Sequence, residues 1–271
     1  MIRALDRKLL RDVWEMKGQT IAICLVIACG VATFVMALTT IRSLTITQST
    51  YYERYRFADV FSQVKRAPKT LEARIVEIPG VSRVQTRVVA DVTLDVPGLV
   101  EPAVGRLISL PDRGEPVLNR LYLRSGRLPE PGRKGEVAAS EAFMLAHKFE
   151  PGARLQAVIN GHKQELIVVG VVLSPEYVFQ IKAGDLLPDT KRFGVFWMRE
   201  LDLSAAFNMQ GAFNDINLSL MPGASEEEVL LRLNRLIAPY GGDGAYGRYE
   251  QVSNRYLSDE IKQLRAQGMI A

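Results

Sequence analysis

Cysteine is nearly missing from these 271 residues: Cys24 and Cys29 are the only two, and both lie in one apolar stretch. The rest of the chain therefore has no disulfide and no thiolate metal site, whichever compartment it faces. Histidine is as scarce. His147 and His162 stand fifteen apart, without the short spacing that puts two imidazoles on one face, and each reads as satisfied or exposed rather than as a ligand. A P-loop needs four residues between its glycines, then Lys followed by Ser or Thr. The nearest approach runs from Gly126 to Gly132 with Arg133 and Lys134 after it, which has five residues between and no hydroxyl. No Gly-x-Ser-x-Gly elbow occurs, and a Ser/His/Asp triad would have to draft one of the two histidines. Catalysis, a cofactor and a metal site are accordingly not expected.

Charge is missing from one long interval. "GQTIAICLVIACGVATFVMALTTI", from Gly18 to Ile41, holds no charged residue, and as a helix it would extend roughly 36 Å at 1.5 Å per residue, enough to cross a hydrocarbon core of about 30 Å. A transmembrane helix bounded by Gly18 and Ile41 is the leading reading. A cleaved signal peptide has a shorter apolar core and a small-residue cleavage site, whereas this run continues into "LTTIRSLTI". A buried core helix is the other competitor, and it is seldom apolar on every face.

Arg3, Arg7, Lys8, Arg11 and Lys17 precede the run, against Arg42, Arg54 and Arg56 after it, a bias that places the N-terminus in the cytoplasm and exports the remainder. Leu5, Leu9, Val13 and Met16 recur at helical spacing with Trp14 beside them, the pattern of an amphipathic helix on the inner membrane surface; a plain charged flank is the alternative. Tyr51, Tyr52 and Tyr55 mark either the outer interface or a helix packing on the following domain. The net charge of +4 is mostly topological: residues 1–48 hold six Lys or Arg against three Asp or Glu, a balance of +3, leaving +1 for the other 223. Without a basic run interleaved with aromatics, nucleic acid is not an expected partner.

From Thr50 to about Arg255 the elements alternate. "FADVFSQVK" reads as a strand, "TLEARIVEI" as a helix capped by Thr70 and ended by Pro79-Gly80, and "SRVQTRVVADVTLDV" as one alternating strand. Later "NDINLSL" reads as a strand turned by Pro222-Gly223. Ser225 and Glu228 then form a capping box for a helix with Val229, Leu230, Leu233, Leu236 and Ile237 on one face. Between the two units the chain is mostly β, with "ARLQAVI", Asn160-Gly161 and "HKQELIVVGVVL" as a type I′ hairpin and "SGRLPEPGRKGE" as loop. The expected fold class is α+β: residues 1–17 an amphipathic helix, 18–48 the span and its extension, 50–106 with 198–252 an α+β sandwich, 107–197 an inserted β-rich subdomain, and 253–271 a helix returning to the membrane. In that last segment Leu257, Ile261, Leu264 and Gly268 recur at helical spacing, and "AQGMIA" has the composition of a second span starting, so that a truncated chain is expected.

Three acidic or apolar groups deserve a role. Glu176 in "SPEYVF" is expected to accept backbone amides at a turn; Glu226, Glu227 and Glu228 are expected to serve the dipole of their helix rather than a metal. Met209 and Phe213, at i and i+4, fit core or a subdomain interface better than a cargo-binding lip.

The stretch "LYLRSGRLPEPGRKGEVAASEAFMLAHKFEPGARLQAVINGHKQELIVVGVVLSPEYVF", with "IVEIPGVSRVQTRV", "PYGGDGAYGRYEQVSN" and the N-terminal "RDVWEMKGQTIAICLVIACGVATF", resembles FtsX-like and MacB-like ABC transporter permeases over essentially the whole chain. The resemblance implies a porter-like α+β subdomain with a β-rich insertion between a first and a second span. It also implies a mechanical rather than catalytic role, in a bacterial cytoplasmic (inner) membrane. Its implied partners are a separate P-loop ATPase that binds the ATP, a second permease copy, membrane lipid and, as an optional addition, a periplasmic adaptor. The alternative is a single-pass, membrane-anchored binding or scaffold module.

Overall fold

The structure, a computed structural model, describes residues 4–182, 184, 185 and 187–270. The expectations for Arg3, for the side chains of Leu5, Arg7 and Leu9, and for those of the terminal residues 267–271 lie outside what is described. The chain divides into two units, Met1–Ser49 with Ser258–Ala271, and Thr50–Leu257.

In the first unit α1 (Ala4–Glu15) is separated by a single turn residue from α2 (Lys17–Arg54), a 38-residue helix. No residue from Gly18 to Ile41 is buried, and Val26 on this helix is 72% exposed. A core helix must hide a face, so the buried-helix reading falls. α2 is the one helix among the described residues long and apolar enough to cross a membrane. On it Thr20, Thr33, Thr39 and Thr45 each donate to the carbonyl four residues back. Within this unit the last helix, α7 (Val252–Ile270), is bonded to α2 through Arg265, whose Nη2 donates to Thr45 Oγ1 at 3.3 Å.

The second unit contains two sheets. β1 (Val60–Pro68), α3 (Leu71–Val76) and β2 (Val81–Arg87) form one strand-helix-strand run, and β10 (Ala212–Leu220), α6 (Glu226–Ile237) and β11 (Tyr246–Gly247) form the other. They interleave in the order β11-β1-β10-β2 with every neighbouring pair antiparallel, the split-βαβ arrangement. Alternation sends Val60, Val64, Val81, Val84, Ile216 and Leu218 to one face. There they meet Leu71 and Ile75 of α3 and Val229, Leu233 and Ile237 of α6. Each fully buried Val, Leu or Ile in this layer contributes about 1.5–3 kcal/mol.

Everything between β2 and β10 builds the second sheet: β3 (Val89–Asp95), β4 (Ala103–Leu110), β5 (Tyr122–Gly126), β6 (Glu136–Ser140), α4 (Glu141–His147), β7 (Arg154–Ile159), β8 (His162–Leu173), β9 (Phe193–Arg199) and α5 (Glu200–Ala206). The order is β5-β8-β6-β9-β4-β3-β7, and β8 also pairs with β7. Twelve-residue β8 does both because β7 takes its residues 162–167 and β6 takes 167–172, which closes six strands into a ring. Leu94, Leu107, Leu155, Leu166, Val168 and Phe196 fill the interior with Phe143 and Met144 of α4. Gly194 on β9 is required there, because a Cβ would stand 2.6 Å from the Phe143 ring.

Four expectations need correction. The insertion begins at Val88, not at residue 107, and extends past Trp197 to include α5, since β3, β4 and α5 all belong with the ring. "SRVQTRVVADVTLDV" is therefore two strands in two sheets; the chain crosses at buried Val88, whose N–H is taken by Ser109 Oγ at 2.9 Å, and alternation alone does not reveal such a crossing. Thr70 makes no side-chain cap, and its helix is the short Leu71–Val76. Ser225 does accept from Glu228 N–H at 3.3 Å, but the Glu228 carboxylate turns to Arg232 instead of completing the capping box.

Candidate functional site

The face of the split sheet turned away from its helices is polar yet buried. On β2 it carries Gln85 and Arg87, and on β10 Asp215 and Asn217, which alternate with the apolar Val84, Ile216 and Leu218. A sheet covered on one side only would leave such residues wet; here the ring and its loops cover them. Arg87 is 3% exposed, Glu176 6% and Asp215 8%.

Arg87 joins the two sheets. Its Nη1 and Nη2 donate to Glu176 Oε2 and Oε1 at 2.7 and 2.8 Å, a bidentate fork, while Nε donates to Asp215 Oδ1 at 2.8 Å. Glu176 lies on a 3-10 turn, Pro175–Tyr177, that follows β8. Asn119 Nδ2 donates to Glu176 Oε2 at 3.1 Å and to Asn217 Oδ1 at 3.2 Å, and Asn217 Nδ2 donates to Asp215 Oδ1 at 2.6 Å. Asn119 suits this place because its φ of 49° is one that Asn tolerates. The flanking carboxylates hold the Arg87 guanidinium charged against its burial, the larger influence, and its pKa stands well above the ordinary arginine value. The expectation that Glu176 accepts backbone amides is overturned: its carboxylate is spent on Arg87 and Asn119, and its own N–H donates to Ser174 Oγ.

The same turn is bonded to the start of α7. Gln251 Nε2 donates to the Glu176 carbonyl at 2.8 Å, and Phe179 N–H donates to Ser253 Oγ at 2.9 Å. Nearby, Arg248 fastens the point where the chain leaves α2. It donates to the Phe57 and Ala58 carbonyls at 2.6 and 2.8 Å and to Asp59 Oδ1 at 2.6 Å, with its guanidinium 5.1 Å from the Phe57 ring centre. Backbone N–H groups of Asn119 and Arg120 satisfy the carbonyls of Arg56 and Tyr55, which otherwise would be orphaned at the helix end. Of the two readings of the tyrosines, packing prevails. Tyr52 is buried with Phe57, Phe61 and Leu118, and Tyr55 meets Tyr122 edge-on at 5.9 Å.

The remaining candidates scatter. Gly18 and Ile41 sit on the unbroken α2, which continues thirteen residues beyond Ile41, and Cys24 and Cys29 are exposed on it. His147 is half-buried at the end of α4, with Nε2 2.9 Å from the Lys191 carbonyl, and His162 is exposed at the start of β8. Glu226, Glu227 and Glu228 occupy the first turn of α6, where its dipole favours them. Met209 belongs to the ring's core and Phe213 to the helix-covered core; their i, i+4 spacing is not helical, since Phe213 is on β10. Gly126 ends β5 at φ 74°, and Gly132 is a turn residue at φ 80°. Among the described residues no three of His, Cys, Asp and Glu stand close enough to hold a metal ion. Arg87, Asn119, Asp215, Asn217 and Arg248 carry the site and were not singled out from the sequence. The one available signal was Asp215 and Asn217 standing on a strand between apolar neighbours.

No family model matches the chain, and no curated protein does. Solved structures similar to it include the extracellular domain of the noncanonic ABC-type transporter YknZ from Gram-positive bacteria. The likeness has 13% identity and a TM-score of 0.41 and covers 70% of this chain and 98% of that one. Another is the periplasmic region of MacB from Actinobacillus actinomycetemcomitans, at 11% identity and a TM-score of 0.42, covering 77% of this chain and 95% of that one.

Proposed function

We propose that the chain is permease material of an ABC transporter: α2 anchors it in a bacterial cytoplasmic membrane, the two-sheet domain stands outside, and a partner ATPase inside drives movement of that domain. The observation that carries this reading is the clasp at the base of the domain. Arg248, four residues before α7, is bonded to Phe57, Ala58 and Asp59, three to five residues after α2, which supports a reading in which force arriving along either helix meets at one place. From there Gln251 and Ser253 reach the turn bearing Glu176, and Glu176 reaches Arg87, which gives a bonded course from the base to both sheets. A permease dimer, contact with lipid and an optional periplasmic adaptor belong to the same reading, as does the absence of a cofactor of the chain's own.

The test is purification of the tagged protein from its native membranes. A stoichiometric subunit bearing a P-loop, with vanadate-sensitive ATP hydrolysis in the eluate, is expected. Purification of the chain without any P-loop protein would instead favour a single-pass scaffold.

A further inference from the structure

The junction between the sheets holds one cation for two anions. Arg87 supplies a single positive charge, while Glu176 and Asp215 supply two negative ones, and none of the three is more than 8% exposed. The carboxylates are not equivalent. Glu176 has both oxygens engaged by the terminal nitrogens of Arg87 and a further bond from Asn119. Asp215 receives Arg87 and Asn217 on the same oxygen, Oδ1, and among the described residues no hydrogen bond reaches its Oδ2.

A cavity of about 100 Å³ borders Asp215, with Gln63, Arg106, Tyr177, Tyr246 and Gln251 in its walls. Gln63 and Arg106 also line an adjoining cleft of about 320 Å³ that includes Lys65, Asp91 and Asp243, so water has a way to the carboxylate. The groups around Asp215 come from every element packed there: Asn217 on its own strand, Arg87 on β2, Glu176 and Tyr177 on the 3-10 turn, Arg106 on β4, Tyr246 on β11 and Gln63 on β1. The Arg106 charge is taken by a bidentate pair with Asp91 at 2.8 and 2.9 Å. Burial keeps Tyr177 and Tyr246 neutral by pushing both phenols up. Among the described residues Arg87 is the one cation bonded to Asp215. Burial, the largest influence, holds its carboxyl above the usual aspartate range; Arg87 pulls the other way, and repulsion from Glu176 adds to the burial.

We infer that Asp215 is a proton-binding site that sets how firmly the split sheet is joined to the ring. Protonated, it leaves Arg87 and Glu176 as a balanced pair. Deprotonated, it leaves an uncompensated buried charge, and Arg87 is shared between two mutually repelling anions. This stands independently of the transport reading, since it concerns only the junction.

A carboxyl whose folded-state pKa is raised contributes stability that is fully present below its unfolded value, about 3.9, and is lost as pH rises through the folded value. Amide hydrogen exchange of the detergent-solubilised full chain, corrected for intrinsic rates, reads this directly. Across residues 174–180 and 212–220, protection in the wild type is expected to fall as pH rises past the ordinary carboxylate range. Asp215→Asn keeps an acceptor for Arg87 and Asn217 but cannot titrate. Its protection there should be flat with pH, and its melting temperature should gain on the wild type as pH rises. The same pH response in variant and wild type would overturn the inference. Should the variant not fold, the wild type decides alone: protection of 174–180 that is independent of pH would overturn it equally.

Discussion

Arg87 is the residue on which the two sheets depend, and its chemistry cannot be delegated. A planar guanidinium presents Nη1 and Nη2 to Glu176 while Nε faces Asp215, a geometry that one ammonium does not reproduce. Arg87→Met would leave two carboxylates buried together with no counter-charge, and breaking a buried pair in this way costs about 3–5 kcal/mol. Thermal denaturation of the full chain in detergent should show a clear fall in melting temperature. Arg87→Lys should recover only part of it, and an unchanged melting temperature in Arg87→Met would mean the pair does not bear on stability. This site was poorly legible in the sequence. Asp215 and Asn217 occupy the polar positions of an alternating strand, positions that alternation by itself does not distinguish from a solvated face; the long-range covering by the ring makes that face an interior. Glu176 was legible as a residue to inspect, but its partner lies 89 positions away.

At the scale of elements, what is local was readable. Asn160 and Gly161 adopt φ of 48° and 80°, the positive pair that a type I′ turn needs, and the register closes on Ile159 opposite His162. No atom stands within 4 Å of where a Gly161 Cβ would go, so strain alone governs substitution there. Gly161→Val, a β-branched residue forced to positive φ, should cost about 1–2 kcal/mol. A melting curve of that variant that overlays the wild type would show that the turn relaxes to another type. Gly161→Asn should be milder, because Asn tolerates the left-handed region. The helix α6 was readable for a similar reason, since its cap and its apolar stripe both lie within a dozen residues. The crossing at Val88 was not, because period-two alternation runs through it without interruption while the pairing partners change from β10 to β4.

For the whole molecule the apolar run was fully visible, since hydrophobicity over 24 uncharged residues needs no partner to be recognised. Closure of the ring was not visible, because it rests on one long strand serving two neighbours on opposite edges. The central claim is that α2 crosses a membrane with the N-terminus inside and the two-sheet domain outside. In a background lacking Cys24 and Cys29, single cysteines at Arg11 and Asn160 can be labelled in intact cells with a membrane-impermeant maleimide. The account predicts labelling of Asn160→Cys and protection of Arg11→Cys until the membrane is permeabilised. Labelling of Arg11→Cys with Asn160→Cys protected would reverse the orientation, and equal labelling of both in intact cells would contradict the span.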